Sequence, residues 1–338
     1  MAKALVTGAS GFIGPRLVAR LQRQGDQVAC LVRPTSKTDY LTPLGVELVR
    51  GDVTDPSSLA AALEGIDHVY HLAGGTHANS LDDFLKVNEA GTTNLCHACA
   101  ARQSPPVVLV VSSLAAVGPS PPGAPHTEAA PPRPISNYGR SKLAEELAAR
   151  RLADRLPITI LRPPIVFGPG DHDGLNLFRA IKFTRIHPVP QRQGLPVSLV
   201  YSDDLADAMA LAVERGERAA AFDEACPHDP TGLYYAAFAE QTTWAEVGRL
   251  AAAAMGMRVL VPRLRKYPFL IPALVGDLLG RVTGKPTLFG MDKLREASAS
   301  GWQCSSEKAR TQLGFTTPEP MEQRYRETVE WYRVEGWL

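Results

Sequence analysis

The first 170 residues are punctuated by short apolar runs that are nearly continuous rather than alternating. They are "KALVTG" (3–8), "QVACLVR" (27–33), "VELVRGD" (46–52), "HVYHLAG" (68–74), "VVLVVSS" (107–113) and "ITILRPPIVFG" (158–168). A strand with one face in water alternates polar with apolar residues, whereas one covered on both faces does not need to. Between the runs lie stretches of helical period. In "GPRLVARLQRQG", Leu17, Val18 and Leu21 form an apolar stripe, Arg16, Arg20 and Arg23 lie opposite as a solvated face, and Gly25 supplies a stop. Strand and helix in alternation, with strands of this kind, predict an α/β chain. Its parallel sheet is doubly wound, with right-handed crossovers and helices on both faces.

Past residue 170 the rhythm loosens. "VSLVYSDDLADAMALAVERG" (197–216) reads as a strand and a helix with Asp203 or Asp204 near the helix start, and "TTWAEVGRLAAAAMG" (242–256) as a helix capped by Thr242 or Thr243. The stretch from about 257 to 302, rich in Pro and Gly, reads as irregular or short helices. Residues 1–170 with about 197–215 are expected to form a nucleotide-binding domain. About 171–196 and 216–338 are assigned to a smaller C-terminal substrate-binding lobe.

"VTGASGFIG" closes the first strand and opens the first helix, with glycines at 8, 11 and 14. A strand–turn–helix junction of this kind needs glycine for a tight turn, for close approach of backbone to a pyrophosphate, and for packing helix on strand. Amides around Phe12 and Ile13 at the positive helix end would hold the phosphates, and Pro15 costs little in a first turn. The end of the second strand selects between nucleotides, since a carboxylate there bonds the ribose of NAD whereas Arg accommodates the 2′-phosphate of NADP. Here it reads "CLVRPTSK", placing Arg33 at that position with Ser36 and Lys37 following, and no carboxylate precedes Asp39. NADP is expected in preference to NAD. Asp52, at the end of the third strand, is read either as an acceptor for the adenine amino group or as a turn cap.

Tyr138 and Lys142 stand four apart in "SNYGRSKLAEE" (136–146) and therefore share a helix face. A free phenol titrates near ~10, too high for easy proton transfer near neutrality. A cation at ~4 Å supplies about 4 kcal/mol toward the phenolate when the effective dielectric is near 20. The pair alone does not distinguish chemistry from coincidence.

Taken in order, "TGASGFIG", "GDVTD", "HLAG", "VNEAGTTNL", "VSSLAAVG", "YGRSK", "LRPPIVFGPGD" and "VYSDDLADA" resemble the extended short-chain dehydrogenase/reductase superfamily, of the NAD(P)-dependent epimerase/dehydratase type. The tail, "GWQCSSEKARTQLGFTTPEP" followed by "ETVEWYR", resembles its 3β-hydroxysteroid dehydrogenase and dihydroflavonol reductase-like branch. The resemblance implies a Rossmann fold, with Tyr138 as general acid/base and Lys142 as its partner. Ser113, or Ser112 one residue earlier, would bond the substrate oxygen. For the cofactor it implies Gly8, Gly11, Phe12, Ile13, Gly14, Arg33, Lys37, Asp52, Val53, Leu72, Ala73, Gly74, Pro163 and Ile165, together with Tyr138 and Lys142. A homodimer is the common expectation for this family.

Departures from the family pattern narrow the expected activity. Ile165 stands where sugar-nucleotide enzymes commonly carry an Asn that helps hold the substrate diphosphate. Leu114 and Ala115 stand where the 4,6-dehydratases carry an acidic pair. Arg33 replaces the carboxylate usual in NAD-retaining epimerases. Expected, therefore, is an NADP-dependent oxidoreductase acting on a carbonyl or secondary alcohol of a small lipophilic molecule, steroid-like or flavonoid-like. An epimerase of a sugar or sugar nucleotide is the alternative, and an NADP-sensing binding protein is the alternative of another class. "KYPFLIPALVGDLL" (266–279) reads as the lining of a lipophilic pocket, a membrane-facing entrance, or ordinary core or dimer packing. The proline-rich loop 118–135 reads as a lid, and Asp171, His172 and Asp173 as turn chemistry rather than a metal cluster.

The balance of charges excludes little but agrees with this. A formal net charge of +1 without a dense basic run gives no footprint for nucleic acid. No stretch approaches the ~20 apolar residues of a spanning helix. The N-terminal residues run directly into a strand-like segment without a signal-peptide pattern. Five scattered cysteines suit a reducing, cytoplasmic setting, and Cys96-His97-Ala98-Cys99 reads as mid-helix packing.

Overall fold

A computed structural model describes residues 1–189, 195–264, 267–283 and 290–338. In chain order its elements begin β1 (Lys3–Thr7), α1 (Gly14–Arg23), β2 (Gln27–Val32), β3 (Glu47–Arg50), α2 (Leu59–Ala62), β4 (His68–His71), α3 (Leu81–Ala100), β5 (Val107–Val111), α4 (Asn137–Arg150), β6 (Ile158–Arg162) and β7 (Ile165–Phe167). There follow α5 (His172–Thr184), β8 (Pro196–Val197), β9 (Leu199–Tyr201), α6 (Ser202–Arg215), β10 (Leu233–Tyr235), β11 (Thr242–Thr243), α7 (Trp244–Ala254), α8 (Leu270–Thr283), α9 (Met291–Ala297) and α10 (Met321–Val334).

Each apolar run forms a strand of one seven-stranded parallel sheet in the order β10-β6-β5-β4-β1-β2-β3, the last run also supplying β7. The doubly wound Rossmann architecture is thus present. The pleat explains the unbroken runs. Leu109 and Val111 of β5 join Ala4, Val6 and Tyr70 in a core beneath α1 and α6, while Val108 and Val110 join Leu5 and Val69 in a second core beneath α3 and α4. The strand order reverses between β1 and β4, and the glycine turn sits at that switch point.

β9 pairs with β7 in a separate two-stranded parallel sheet, and α6 packs on α1 in the first core. The seventh strand was not read from the sequence. Leu233–Tyr235 lies within the stretch assigned to the lobe, yet it pairs with β6 at the sheet edge. Beyond the sheet, a third core gathers Phe167, Phe178, Tyr201, Val247, Tyr325 and Tyr332. Thr243, rather than Thr242, caps α7 by accepting from the Glu246 amide, and Cys96 and Cys99 are buried in α3. From 257 to 302 the chain is more regular than its composition suggests: α8 is a helix of 14 residues, with Pro272 in its first turn where no intrahelical amide bond is lost. Lys266 of the expected apolar stretch lies outside the described residues.

Candidate active site

The turn after β1 is shaped by Gly8. Its φ of +71° is left-handed, and a Cβ there would lie 2.6 Å from both the Leu72 carbonyl carbon and the Ala73 amide. Glycine alone meets both demands. Gly11 closes the turn, donating its amide to the Gly8 carbonyl at 3.0 Å. α1 then begins with no side-chain cap on Ile13, Pro15 in the first turn, and no acidic residue there. First-turn amides lack intrahelical acceptors and form an anion site, so this cradle fits the pyrophosphate of a dinucleotide.

A cleft of about 1000 Å³ runs from this turn. Gly8, Gly11, Phe12, Ile13, Gly14, Leu72, Gly74, Ser113, Tyr138, Lys142, Pro163 and Ile165 all line it. Five other expected residues are placed differently. Ala73 donates its amide to Thr7 Oγ1 (3.2 Å) behind the cleft. Val53 is buried against Gly91. Asp52 caps its own turn, Oδ1 accepting from the Thr54 amide and hydroxyl at 2.9 Å each. Arg33 and Lys37 are exposed after β2, the Arg33 amide donating to Ser36 Oγ (3.0 Å).

Ser113, Tyr138 and Lys142 are brought to one wall by close backbone approach. Ser136 caps α4 by accepting from the Gly139 amide at 3.0 Å, which fixes Tyr138 in the first helical turn. A Cβ on Gly139 would lie 2.4 Å from the Ala115 carbonyl oxygen, so this turn presses directly on the short turn that Ser113 begins. Phe84 packs beside the phenol with ring centroids 5.9 Å apart. Lys142 donates to the Val111 carbonyl (2.9 Å), and its Nζ would lie 3.6 Å from a Cβ on Gly74. Ser112, the neighbouring alternative, also lines the cleft but is buried, with its hydroxyl engaged in donating to Glu146 Oε1 at 2.5 Å.

Behind the wall is a buried polar chain to which the sequence reading gave no role. Lys142 is ion-paired with Glu145, Thr92 lies 3.5 Å from Glu145 Oε1, and His71 bonds Thr92 Oγ1 (2.8 Å) and Thr7 Oγ1 (2.7 Å). Burial, assisted by the Lys142 charge, pushes His71 down to about 3, so the imidazole is neutral between two hydroxyls. Burial lifts the Glu145 carboxyl to about 7 against the opposing pull of Lys142. Asn88 fastens the adjoining loop, accepting from the Gly75 amide (2.7 Å) and donating to Ser141 Oγ (2.8 Å). His71 and Asn88 fall within "HLAG" and "VNEAGTTNL", so their motifs were visible although their tasks were not. A second buried pair, Arg162 with Glu146, ties β6 to α4 through two bonds of 2.7 and 2.6 Å.

Ser113 and Tyr138 also border an adjoining cavity of about 570 Å³, whose walls include Pro164, Val166, Val197, Trp244, Leu294 and Trp302. Trp244, Leu294 and Trp302 come from distant parts of the chain and have no local sequence signal, whereas Pro164 and Val166 follow β6 in "LRPPIVFGPGD". Among the described residues lining it, Lys293 is the single Lys or Arg, and it pairs with Glu296 at 3.1 Å. The loop 118–135 is pinned rather than hinged: Ser120 donates its amide to the Gly301 carbonyl and His126 to that of Gln303, each at 2.9 Å. Glu128 accepts from the Tyr235 amide (3.3 Å). Asp171 caps α5 by accepting from the Gly174 amide (2.9 Å), and the His172 ring stacks on Trp337.

Comparison with known proteins gives a consistent picture. Residues 4–223 match the NAD dependent epimerase/dehydratase family. The chain is 32% identical over 335 residues to a ceramide reductase of Caulobacter vibrioides, covering 98% of this chain and 95% of that one. It is 29% identical to a 2-alkyl-3-oxoalkanoate reductase of Stenotrophomonas maltophilia, over 96% and 97% of the two chains. Among solved structures, gox2253 superposes with a TM-score of 0.77 at 26% identity, covering 100% of both chains.

Proposed function

The chain belongs to the NAD dependent epimerase/dehydratase family and is an NAD(P)-dependent enzyme of the extended short-chain type; from that premise we propose that it reduces a carbonyl on a lipophilic substrate with NADPH. The observation that carries this reading is the shared wall. Ser113 and Tyr138 border both the cleft that begins at the glycine turn and the apolar cavity beside it. A carbonyl seated in that cavity presents its oxygen to both hydroxyls.

A bound nicotinamide dinucleotide supplies the hydride. The chain's residues do the rest. Ser113 Oγ donates a hydrogen bond that holds the carbonyl oxygen, and Tyr138 Oη gives up its proton as negative charge grows there. The Lys142 ammonium, one helical turn on, stabilises the phenolate left behind. In the reverse direction Tyr138 receives the proton of a secondary alcohol. Glu145 holds the ammonium in place, and the neutral His71 lets a buried carboxylate and a cation coexist without a further charge.

Substrate class follows from the cavity walls. Trp244, Trp302, Leu294 and Val197 favour an apolar body, and a sugar diphosphate requires several cations that this lining does not offer among the described residues. The relatives named as reductases, one of them of ceramide, support the same class. NADP is favoured over NAD by the exposed Arg33 directly after β2, where a guanidinium can clamp a 2′-phosphate.

The test is Tyr138→Phe. The phenyl ring keeps its packing on Phe84 and loses only the hydroxyl, which makes no hydrogen bond to a described residue. NADPH affinity should stay within about twofold, and turnover on a panel of lipophilic ketones should fall by about 10²–10⁴. Turnover within tenfold of the parent chain refutes the assignment. Cofactor that co-purifies and resists dialysis, with no net oxidation, replaces the reductase by an epimerase.

A further inference from the structure

We infer that the face of the C-terminal lobe formed by α8 and the paired segments around Ile186 and Leu260 docks on an anionic lipid surface. A helix of a soluble protein turns its large apolar side chains inward, and α8 does the reverse. Ala273, Gly276 and Gly280 face the protein, while Ile271, Leu274, Val275, Leu278 and Leu279 face solvent, between 49% and 73% exposed. Their spacing of i, i+3, i+4, i+7 and i+8 makes one continuous stripe. Asp277, on the inner side, is occupied in accepting from the Met291 amide (3.2 Å). Patches of this kind on a monomer mark a binding surface.

A second exposed apolar set lies on two segments that precede this helix in the chain. Backbone bonds from the His187 amide to the Leu260 carbonyl (2.8 Å) and from the Leu260 amide to the Arg185 carbonyl (2.9 Å) pair the two segments. Phe183 and Leu260 are 92% and 66% exposed there, beside the exposed cations Lys182, Arg185, Arg258 and Arg263.

Charge selects the occupant. Among the described residues from Gly174 to Val189 and from Val247 to Leu264 stand Arg179, Lys182, Arg185, Arg249, Arg258 and Arg263 and no Asp or Glu, in a chain whose net charge is only +1. Exposed apolar side chains beside cations, on segments that themselves carry no carboxylate, match the boundary of a bilayer carrying anionic headgroups. A second copy of the chain fits poorly, because a twofold contact sets this face against itself, cation against cation. The attachment is peripheral: among the described residues no helix is long and apolar enough to cross a membrane. Phe269, immediately before α8, lines the apolar cavity. The docked face would therefore set that cavity beside the lipid phase, the source of the substrate class proposed above. The inference itself rests on the surface alone.

The experiment is flotation of the full chain with vesicles of phosphatidylcholine alone and of equimolar phosphatidylcholine and phosphatidylglycerol, without cofactor or substrate. The bound fraction should be at least about tenfold higher on the mixed vesicles and should fall with salt. Leu274→Glu with Leu278→Glu should abolish at least about nine-tenths of it while leaving thermal unfolding unchanged. Lys182→Glu with Arg185→Glu should lower binding to the mixed vesicles alone. Absence of flotation with either vesicle, or equal flotation of the Leu274/Leu278 variant, overturns the inference. So does a dimer in sedimentation velocity that this variant dissociates, which assigns the face to a second copy. Because no turnover is measured, failure of the Tyr138 chemistry and failure of lipid docking remain distinguishable.

Discussion

Replacing Asp171 by Asn should stabilise the protein above neutral pH. Asp171 caps α5, with Oδ1 2.9 Å from the Gly174 amide, and is only 7% exposed. Capping needs an acceptor oxygen, which Asn retains. It does not need the charge, and burial makes that charge expensive. Burial, with a contribution from Asp173, raises the carboxyl from 3.8 to about 6, against the Gly174 amide pulling the other way. The folded protein thus holds this proton more tightly than the unfolded chain does. The stability so gained is complete below 3.8 and is lost as pH rises through about 6. A shift of roughly two units corresponds to about 3 kcal/mol, so at pH about 8 the Asn variant should be more stable by about 2–3 kcal/mol. At pH about 4, where Asp171 is protonated when folded, the two proteins should agree within about 0.5 kcal/mol. Urea unfolding of both proteins across this range gives the measurement, and comparing the two removes the titration of every other group. Equal stabilities at pH about 8, or a less stable Asn variant, would show that the α5 terminus stabilises the carboxylate by more than burial costs it.

Two further substitutions probe the cofactor and the scaffold. Arg33→Asp should weaken NADPH binding by about 10–100-fold while weakening NADH binding far less, read by fluorescence titration; unchanged NADPH affinity removes the reason for preferring NADP. Glu146→Gln strands the Arg162 guanidinium, 2% exposed, with one neutral partner in place of a carboxylate. It should cost about 3–5 kcal/mol in urea unfolding, whereas a loss below about 1 kcal/mol would mean that the glutamine with the Tyr235 hydroxyl, which accepts from Arg162 Nη1 at 3.0 Å, suffices to hold the arginine.

The sheet was legible because each of its first six strands carries its own evidence, an apolar run with a turn after it. β10 carried none. Three residues, Leu233–Tyr235, gain strand character only by pairing with β6, and no local pattern foretells a non-local partner. The same distinction divides the site. Gly8, Ser113, Tyr138 and Lys142 lie in short motifs whose geometry is set within a few residues, and the structure lines one cleft with all four. Trp244, Leu294 and Trp302 meet from separate parts of the chain, so their shared cavity existed nowhere in the linear sequence. Loop 118–135 misled in the same manner. Its length and prolines suggested a moving lid, but its restraints come from Gly301 and Gln303, far along the chain. Glu145 was hidden by ambiguity, since an acidic residue after "YGRSK" reads as helix surface until the fold encloses it.

The late arrival of β10 bears on how the protein is made. On the ribosome β6 is complete at Arg162, but the strand that closes its free side is not synthesised until Leu233. Through that interval the nascent chain carries a row of unpaired amides and carbonyls on a strand whose five residues are all destined for burial. Escort by chaperones would matter most in this window, and a ribosomal pause between β6 and β10 would lengthen exposure of the segment most prone to pair with a neighbouring chain.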